Sequence, residues 1–445
     1  MPEPPNSPEN TSAIAMRQQA REIFDHALAK CSIPTAFAQN LRYESGQLHV
    51  GEELYELSTF SQVVAISIGK AGYSMAEALC DIVPLGISGI VACSIPPDSP
   101  VVGFQYFYGG HPLPNEDSLR AGRAILDLLH ALPERSLVLF LISGGASAIA
   151  EMPISPSLTL TDVIETYRTL VHSGAPIAEI NAIRKHLSAI KGGRMAQAAS
   201  AATQVSLLVS DVPDRALDAL ASGPTMPDSS TVADCYAIAE RYDMRSHFPE
   251  TVRAMFEGAQ LQETPKPGDS AFRNSHSITV LSNQTAVSAA AERARLCGFE
   301  VEIDNSCDDW DYAKAADYLL ERSRELRRTA SPVCLLSGGE VTVKVGDNSG
   351  VGGRNQQFTL YCAQKIAGES IIVLSAGTDG IDGNSLAAGA VVDGSTMSRA
   401  RERGLDPASA LSQFDSYPLL ESIGDTIVIG PTGNNVRDLR ILLAY

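Results

Sequence analysis

The sequence predicts an α/β fold in two domains, and three observations support that prediction. Apolar runs of strand length recur along the chain, and most are followed by a glycine-rich turn and a helical pattern. Units of this kind build largely parallel sheets covered by helices. The chain has 445 residues, which exceeds one ordinary core. The rhythm breaks at the polar, Pro- and Gly-rich stretch 263–271, which separates the two halves.

The expected domain boundaries follow from this division. The opening MPEPPNSPENTS is acidic and rich in proline, which is typical of a disordered tail and unlike a signal peptide. We expect a disordered tail over residues 1–10, an N-terminal domain over 11–262, a linker over 263–276 and a C-terminal domain over 277–445.

Composition excludes several classes of protein. The 34 basic and 52 acidic residues give a net charge of −18, so general nucleic-acid binding is not expected. No apolar stretch approaches the ~20 residues of a membrane span, so no membrane partner is expected. The 8 cysteines show no CxxC or histidine-paired metal spacing, which favours reduced thiols in a cytoplasmic protein. A homodimer is compatible with the sequence.

The first strand-to-helix junction contains Lys70. The apolar run Val63–Ile68 ends at the turn 69–72, and a helical pattern follows. A lysine in such a turn suits a phosphate contact, although neither a Walker loop nor GxGxxG is present. Local sequence supports a site lysine and a solvated surface lysine equally.

Two further strand ends in the same half have site-like turns. The apolar run Leu137–Ile142 ends in SGGAS at 143–147, and a similar LLSGG occurs at 335–339. Donors to a phosphate are favoured over a serine nucleophile, because GxSxG is absent. Asp211 follows the strand 205–209 and suits metal ligation or general-base chemistry, with an Asx turn as the alternative. For His111, in the loop GGHPLP, orientation of the loop is favoured over a substrate contact.

A cationic face is predicted on the helix Ile177–Ile190. Apolar residues recur along it at helical spacing, and polar or basic residues form the neighbouring face. In so acidic a chain, this face favours an anion-binding surface over a merely solvated one. Its members and their continuation are Asn181, Arg184, Lys185, His186, Ser188, Lys191 and Arg194.

The stretch 335–394 resembles one half of a phosphate site. It contains LLSGGEVTVKVG, then GVGGRNQQ, then IIVLSAGTDGIDGN. Glycines let backbone amides approach an anion, a helix start adds partial positive charge, and Arg354 adds a full one. Asp379 and Asp382 have the oxygen ligands that a hard cation prefers. Together these features suggest phosphoryl transfer.

A family resemblance extends over nearly the whole chain, from about Ile14 to Leu443. SIGKA, GHPLP, LISGGASA, INAIRKHLSAIKGGRMA, LLSGGEVTV, GGRNQQ and GTDGIDG occur in this order. Together these motifs resemble the class II glycerate kinases. The resemblance implies a Rossmann-like α/β/α N-terminal domain, a smaller α/β MOFRL-type C-terminal domain and an inter-domain cleft. It also implies phosphorylation of D-glycerate, mostly to 2-phosphoglycerate, with ATP and Mg²⁺.

The resemblance implies roles for individual residues, which we carry over position by position. The implied catalytic residues are Lys70, Asp211 and Arg354. The implied substrate-binding residues are Arg194, Lys191, Ser143, Gly144, Gly145 and Ser147. The implied nucleotide-binding residues are Ser337, Gly338, Gly339, Glu340, Gly352, Gly353, Asn355, Asn283 and Thr378. The expected metal ligands are Asp211, Asp379 and Asp382.

Three positions depart from the family pattern. Ala146 replaces a third glycine in the first SGG turn, Asp214-Arg215-Ala216 replaces an acidic segment, and Gln357 stands where glutamate is frequent. Two alternative functions therefore stay open. One is a nicotinamide-dependent hydroxypyruvate reductase, which the missing GxGxxG disfavours. The other is a catalytically altered ligand-binding member of the same family.

Overall fold

The computed structural model describes residues 8–346 and 350–445, with the side chains of residues 8–12, 214 and 215 left aside. The helices are α1 (Pro8–Lys30), α2 (Ile33–Asn40), α3 (Gly72–Ile82), α4 (Glu116–His130), α5 (Ala146–Ile149), α6 (Leu160–His172), α7 (Ile177–His186), α8 (Arg194–Ala198), α9 (Val232–Arg241), α10 (Glu250–Glu257), α11 (Asn283–Leu296), α12 (Tyr312–Thr329), α13 (Arg354–Lys365), α14 (Thr396–Glu402), α15 (Pro407–Ser412) and α16 (Ser416–Ser422). The strands are β1 (Leu41–Glu44), β2 (Gln47–Val50), β3 (Glu53–Glu56), β4 (Gln62–Ile68), β5 (Ser88–Cys93), β6 (Phe104–Tyr108), β7 (Ser136–Ser143), β8 (Thr203–Val209), β9 (Ser275–Leu281), β10 (Glu300–Ile303), β11 (Val333–Gly338), β12 (Ile371–Gly377), β13 (Gly389–Asp393), β14 (Thr426–Ile427) and β15 (Asp438–Ala444).

The chain divides into two compact units. The central unit is Ile33–Val280, and the terminal unit combines the described residues before Ile33 with Leu281–Tyr445. This division corrects the expected boundaries, because residues 263–276 lead directly into the edge strand β9 of the central unit's sheet. The expected tail over residues 1–10 lies mostly outside the described residues, and α1 begins at Pro8.

The central unit is built on a six-stranded sheet in the order β6-β5-β4-β7-β8-β9. The pairs β6–β5, β5–β4, β4–β7 and β7–β8 are parallel, which confirms the predicted parallel α/β architecture. Strand β7 is buried along its whole length because helices cover both faces of such a sheet. The carboxyl ends of β4, β7 and β8 therefore lie side by side at one edge, where open α/β sheets bind ligands.

The terminal unit has a mixed six-stranded sheet in the order β10-β11-β15-β12-β13-β14. The last strand of the chain, β15, lies antiparallel between β11 and β12. Its first residue, Asp438, is therefore opposite Gly377 at the carboxyl end of β12. This insertion places an acid between the two glycine-rich strand ends that the sequence singled out.

Helix α1 belongs to the terminal unit, although the sequence predicted it as part of the N-terminal domain. Ile23 and Phe24 are fully buried in a core shared with α11 and the strands β11, β12 and β15. Arg17 adds ion pairs to Asp393 at 2.8 Å and Asp425 at 2.6 Å. Apolar burial and these pairs together hold the helix on the distant C-terminal sheet.

Helix α7 is shorter than predicted. It ends at His186 rather than Ile190, and Leu187 is its C-cap. Ser188 then forms an isolated bridge with Pro153. Separately, no helix in the described ranges is both long and apolar enough to cross a membrane.

Candidate functional site

In the central unit, the turn after β4 is fastened to the turn after β7. The amide of Lys70 donates to the carbonyl of Gly144 over 2.9 Å, and the amide of Ala71 donates to Ser143 Oγ over 3.1 Å. A side chain on Gly69 would clash with Ser143, so glycine is required for this approach. Ser143 is buried and supports the turn, whereas the resemblance implied a substrate contact for it.

Asp211 joins the same cluster from the end of β8. A Cβ on Gly144 would clash with the Asp211 carboxylate, so the glycine allows this acid to lie directly against the SGG turn. The ends of β4, β7 and β8 therefore bring together Lys70, the SGG turn and Asp211. The sequence predicted each of these residues from a separate strand-end signal.

The glycine that the turn needs is Gly145, not position 146. Gly145 has φ +83°, a conformation that favours glycine, and it precedes α5. Ala146 begins α5, and its methyl group is buried in the apolar core under the sheet. Ala146 therefore fits the turn without strain. Ser147 is paired within the protein, since its hydroxyl lies 2.7 Å from that of Ser222.

Lys191 lies in the core rather than at a substrate surface. Its ammonium forms an ion pair with Glu151, and both side chains are 1% exposed. Glu151 also accepts from Tyr167 and, over 2.6 Å, from Ser188. Burial lowers the pKa of Lys191, although Glu151 opposes that shift. Because its charge is already neutralised, we do not propose Lys191 as a substrate ligand.

Two further members of the predicted cationic face, Lys185 and Arg194, also have partners within the protein. Lys185 donates to Asp218 at 3.0 Å and Asp228 at 3.1 Å. Arg194, 9% exposed, donates to the carbonyls of Gln262 at 3.0 Å and Glu263 at 3.2 Å. Burial lowers the pKa of the Arg194 guanidinium.

Arg184 also packs inside the protein rather than facing an anion-binding surface. Its guanidinium carbon lies over the ring of Tyr167, 4.6 Å from the ring centre. The sequence missed this because all the partners come from other segments. The expected anion-binding surface on α7 is therefore corrected to a buried polar network.

In the terminal unit, Arg354 is held by two acids. Its Nε donates to Asp438 over 2.6 Å, and its Nη2 donates to the other oxygen of the same carboxylate over 3.1 Å. Glu340 lies 2.7 Å from Nη2. Burial opposes the charge of Arg354, yet Asp438 and Glu340 raise the pKa of its guanidinium. Burial and the charge of Asp438 raise the pKa of Glu340 in turn.

The predicted anion cradle at GGRN is filled by Asp382. This carboxylate accepts from the amides of Asn355 at 3.1 Å and Gln356 at 2.9 Å, at the start of α13. Gly353 is required because a Cβ there would clash with Asp382. Asp382 is 2% exposed, so it caps the helix and is not available as a metal ligand. Gly352 and Gly353 also line the cavity beside Arg354, and the nucleotide contacts expected of Gly352, Gly353 and Asn355 stay predictions.

The second SGG turn, at 337–339, is also satisfied within the protein. The amide of Glu340 donates to Asp308 over 3.0 Å, and the amide of Gly338 donates to Asn305 over 2.8 Å. Asp308 is itself paired with Arg437 at 2.5 Å. Ser337 is fully buried, and Gly339 has φ +95° against Asp308. The turn thus resembles its counterpart at 143–145 in sequence but is occupied by an acid of its own chain.

Asn283 and Thr378 hold the segment that leads into β15. Asn283 donates to the carbonyls of Val436 at 2.8 Å and Asp438 at 3.0 Å. Thr378 donates to the carbonyl of Arg437 over 2.8 Å. Both side chains therefore hold this segment, and the nucleotide contacts that the resemblance implied for them stay predictions.

A cavity of about 710 Å³ opens beside Arg354. Its wall combines acids with apolar side chains, including Asp379, Glu340, Val343, Val345, Ile381 and Phe414. Gln357, one of the departures from the family pattern, also lines it and donates to the carbonyl of Leu411 over 2.8 Å. The apolar part suits a planar ring, and Asp379 keeps a carboxylate at the edge of the space.

The described residues contain no ready-made metal site with three protein ligands. Across residues 8–346 and 350–445, no group of three or more His, Cys, Asp or Glu side chains is arranged to hold a metal ion. A metal that arrives with a nucleotide needs only one or two carboxylates, because phosphate oxygens and water supply the other ligands. Asp211 and Asp379 fit that requirement individually, whereas Asp382 does not.

Comparisons with known proteins agree with this architecture. Domain of unknown function DUF4147 matches residues 19–257, and the MOFRL family matches residues 333–438. The chain is 38% identical to the D-glycerate 2-kinase of Thermotoga maritima over 400 residues, 88% of this chain and 93% of that protein. It is also 38% identical to a protein of Agrobacterium vitis, provisionally named a hydroxypyruvate reductase, over 97% of this chain and 95% of that one.

A solved structure extends the comparison to three dimensions. The crystal structure of a glycerate kinase from Thermotoga maritima matches with a TM-score of 0.85 and 34% identity, covering 97% of this chain and 100% of that one. The two sheets and the strand-end site thus define a two-domain α/β protein of the DUF4147 and MOFRL class. The chain belongs to the class II glycerate kinase family.

Proposed function

We propose that the protein transfers the γ-phosphoryl group of MgATP to D-glycerate and yields 2-phosphoglycerate. The observation that supports this most directly is the alignment with the D-glycerate 2-kinase of Thermotoga maritima, which covers 93% of that protein. An alignment of this extent leaves little of the relative without a counterpart here. Because one relative has the provisional name of a hydroxypyruvate reductase, the experiment includes a test for that activity.

The proposed reaction places specific demands on the site. The C2 hydroxyl oxygen forms a bond to the γ-phosphorus, the bond from that phosphorus to the β–γ bridging oxygen breaks, and the hydroxyl loses its proton. Such transfers depend on positioning and on stabilising the charge of the transferred group. Lys70 would supply that charge in the central unit, and Asp211 would orient the hydroxyl or accept its proton.

The proposed role of Arg354 is electrostatic. Its guanidinium is partly exposed but paired with Asp438 and Glu340, so we propose that it contributes a fixed positive charge rather than a mobile side chain. Asp211 and Asp379 are the carboxylates that we propose as contacts for the magnesium of the nucleotide. The cavity beside Arg354, with its apolar wall, is the space that we propose for the base.

A coupled assay of ADP release with D-glycerate and MgATP tests the proposal, with phosphorus NMR of the product to identify the phosphorylated carbon. We expect ADP release that depends on both substrates and a resonance of 2-phosphoglycerate. Absence of D-glycerate-dependent ADP release would contradict the proposal. Oxidation of NADH by hydroxypyruvate without ATP, in a parallel arm, would instead support the reductase alternative.

A further inference from the structure

His111 lies against the SGG turn of the central unit, on the same side as Lys70. A Cβ on Gly145 would lie 3.1 Å from Cδ2 of His111, 3.4 Å from its Nε2, and 3.1 Å from Cγ of Lys70. The imidazole and the lysine stem therefore flank the bare Cα of Gly145. The Cδ2–Nε2 edge of the ring therefore faces the turn, and the Lys70 stem passes the same glycine.

The loop that contains His111 is fixed to the same turn. Gly109 packs so closely against the carbonyl of Ile149, the last residue of α5, that a side chain there would clash. The amide of Gly110 donates over 3.0 Å to Ser118 Oγ, in the first turn of α4. The backbone next to His111 is thus anchored to two neighbouring helices, so the loop loses less conformational entropy when a ligand binds.

Among the residues that the structure describes, the Lys70 ammonium and the ring nitrogens of His111 have no hydrogen-bond or ion-pair partner. The lysines of the expected anion surface differ, because Lys185 and Lys191 are both paired with buried acids. The cluster at the end of β4 therefore keeps a free cation and a free hydrogen-bonding ring side by side.

The environment of His111 favours its neutral form. Partial burial and the charge of Lys70 lower the pKa of the imidazole below its usual value. A neutral imidazole donates one N–H and adds no second positive charge beside the lysine. Such a pair suits a single anionic oxygen, which takes a charge from one partner and a directed hydrogen bond from the other.

We infer that His111 donates a hydrogen bond to the anionic substrate oxygen that Lys70 binds. This rests on the proposed function, and the oxygen belongs either to the carboxylate of D-glycerate or to the phosphoryl group of the nucleotide. The sequence favoured a loop-orienting role for His111 because no partner was visible along the chain. The neighbour that changes this interpretation is Lys70, which a different strand end supplies.

Steady-state kinetics of His111→Ala and His111→Asn test the inference, with His130→Asn, an exposed histidine in the last turn of α4, as the matched control. Loss of one hydrogen bond to a charged group corresponds to about a 10- to 100-fold weaker interaction. We expect KM to rise by about that factor for D-glycerate if the carboxylate is bound, or for MgATP if the phosphoryl group is bound. Asparagine should recover part of the loss, because it retains an N–H donor. Both KM values within twofold of wild type in His111→Ala would overturn the inference.

NMR of the wild-type protein supplies a readout independent of turnover and of the variants' folding. The imidazole resonances of His111 are assigned as those absent from His111→Asn, or by selective labelling. Titration with D-glycerate, and separately with Mg²⁺ and an ATP analogue that has a non-hydrolysable β–γ bridge, should shift them while those of His130 stay unchanged. No shift with either ligand would overturn the inference. An inactive wild-type enzyme would contradict the proposed function instead, so the two failures are distinguishable.

Discussion

The carboxylate of Asp382 accepts the amide of Gln356 over 2.9 Å and thereby caps helix α13 at the motif that the sequence predicted to bind phosphate. Burial is the main cause that raises the pKa of Asp382, to about 6, and the charge of Asp438 adds to it. The hydrogen bonds from α13 act in the opposite direction. The folded protein therefore binds this proton more tightly than the unfolded chain. Protonation of Asp382 therefore stabilises the folded state. This stabilisation is complete below pH ~4, the pKa of the carboxyl in the unfolded chain, and is lost as pH rises through about 6, its pKa in the folded protein.

Asp382→Asn should remove this pH dependence. A shift of about two units corresponds to about 3 kcal/mol, so the difference in unfolding free energy between wild type and variant should change by that order between pH 4 and 7. The wild type should lose stability relative to the variant as pH rises. Urea unfolding of both proteins at several pH values measures this difference. The control is Asp406→Asn, which changes an exposed helix-capping aspartate. A pH-independent difference would show that Asp382 titrates normally.

Arg354→Ala should destabilise the terminal unit strongly. The side chain of Asp438 is 1% exposed, so the substitution leaves a buried acid without its cation. Breaking such a pair costs about 3–5 kcal/mol, and Arg354→Ala/Asp438→Asn should recover a large part. Arg322→Ala is the control, because its ion pair with Glu302 lies at the surface and solvent screens it, so stability should change little.

Activity separates the two proposed contributions of Arg354. The stabilised double variant should still lose turnover by about 100-fold or more, since its fixed positive charge is absent. If the double variant regains both stability and turnover, Arg354 has a structural role alone. Urea unfolding and the ADP-release assay on the same preparations decide between these outcomes.

Lys191→Met should lower stability and leave substrate affinity unchanged. The substitution strands Glu151 in the core, with an expected cost of about 3–5 kcal/mol. Lys191→Met/Glu151→Gln should recover a large part of this loss, because the neutral amide oxygen still accepts from Tyr167 and Ser188. Lys365→Met, at a surface pair with Asp317, should cost ~1 kcal/mol or less. A higher KM for D-glycerate at normal stability would restore Lys191 as a substrate ligand.

Lys191, predicted as a substrate ligand but paired with Glu151 in the core, shows which features the sequence could and could not predict. Strand ends with glycine turns are local signals, and β4, β7, β8, β11 and β12 were all predicted from them. Pairing is not local: Glu151 lies 40 residues before Lys191, and Asp438 lies 84 residues after Arg354. The insertion of β15 between β11 and β12 was also missed, since an apolar run does not indicate its direction or its neighbours. Charges near glycine turns were therefore assigned to ligands when several belong to internal pairs.

Lys70→Ala should reduce turnover without reducing stability. The side chain is exposed and has no partner among the described residues, so unfolding should change by no more than ~0.5 kcal/mol. Loss of one charge-stabilising contact in the transition state typically costs about 100- to 1,000-fold in rate. Lys365→Ala is the matched surface control. Near-normal turnover of Lys70→Ala would remove Lys70 from the proposed mechanism.

Gly145→Ala and Ala146→Gly should differ sharply although the positions are adjacent. Gly145 has φ +83°, which costs about 1–2 kcal/mol for a residue with a side chain, and its new methyl group would press on Lys70 and His111. We expect a loss of turnover of about 10-fold or more. Ala146→Gly removes a buried methyl group worth ~1 kcal/mol and leaves the turn intact, so turnover should stay within about threefold. An increase of kcat/KM above 10-fold in Ala146→Gly would mean that the methyl group of Ala146 narrows the site. The glycine that is frequent in the family at this position would then favour catalysis. The ADP-release assay and urea unfolding on both variants distinguish a strained turn from a narrowed one.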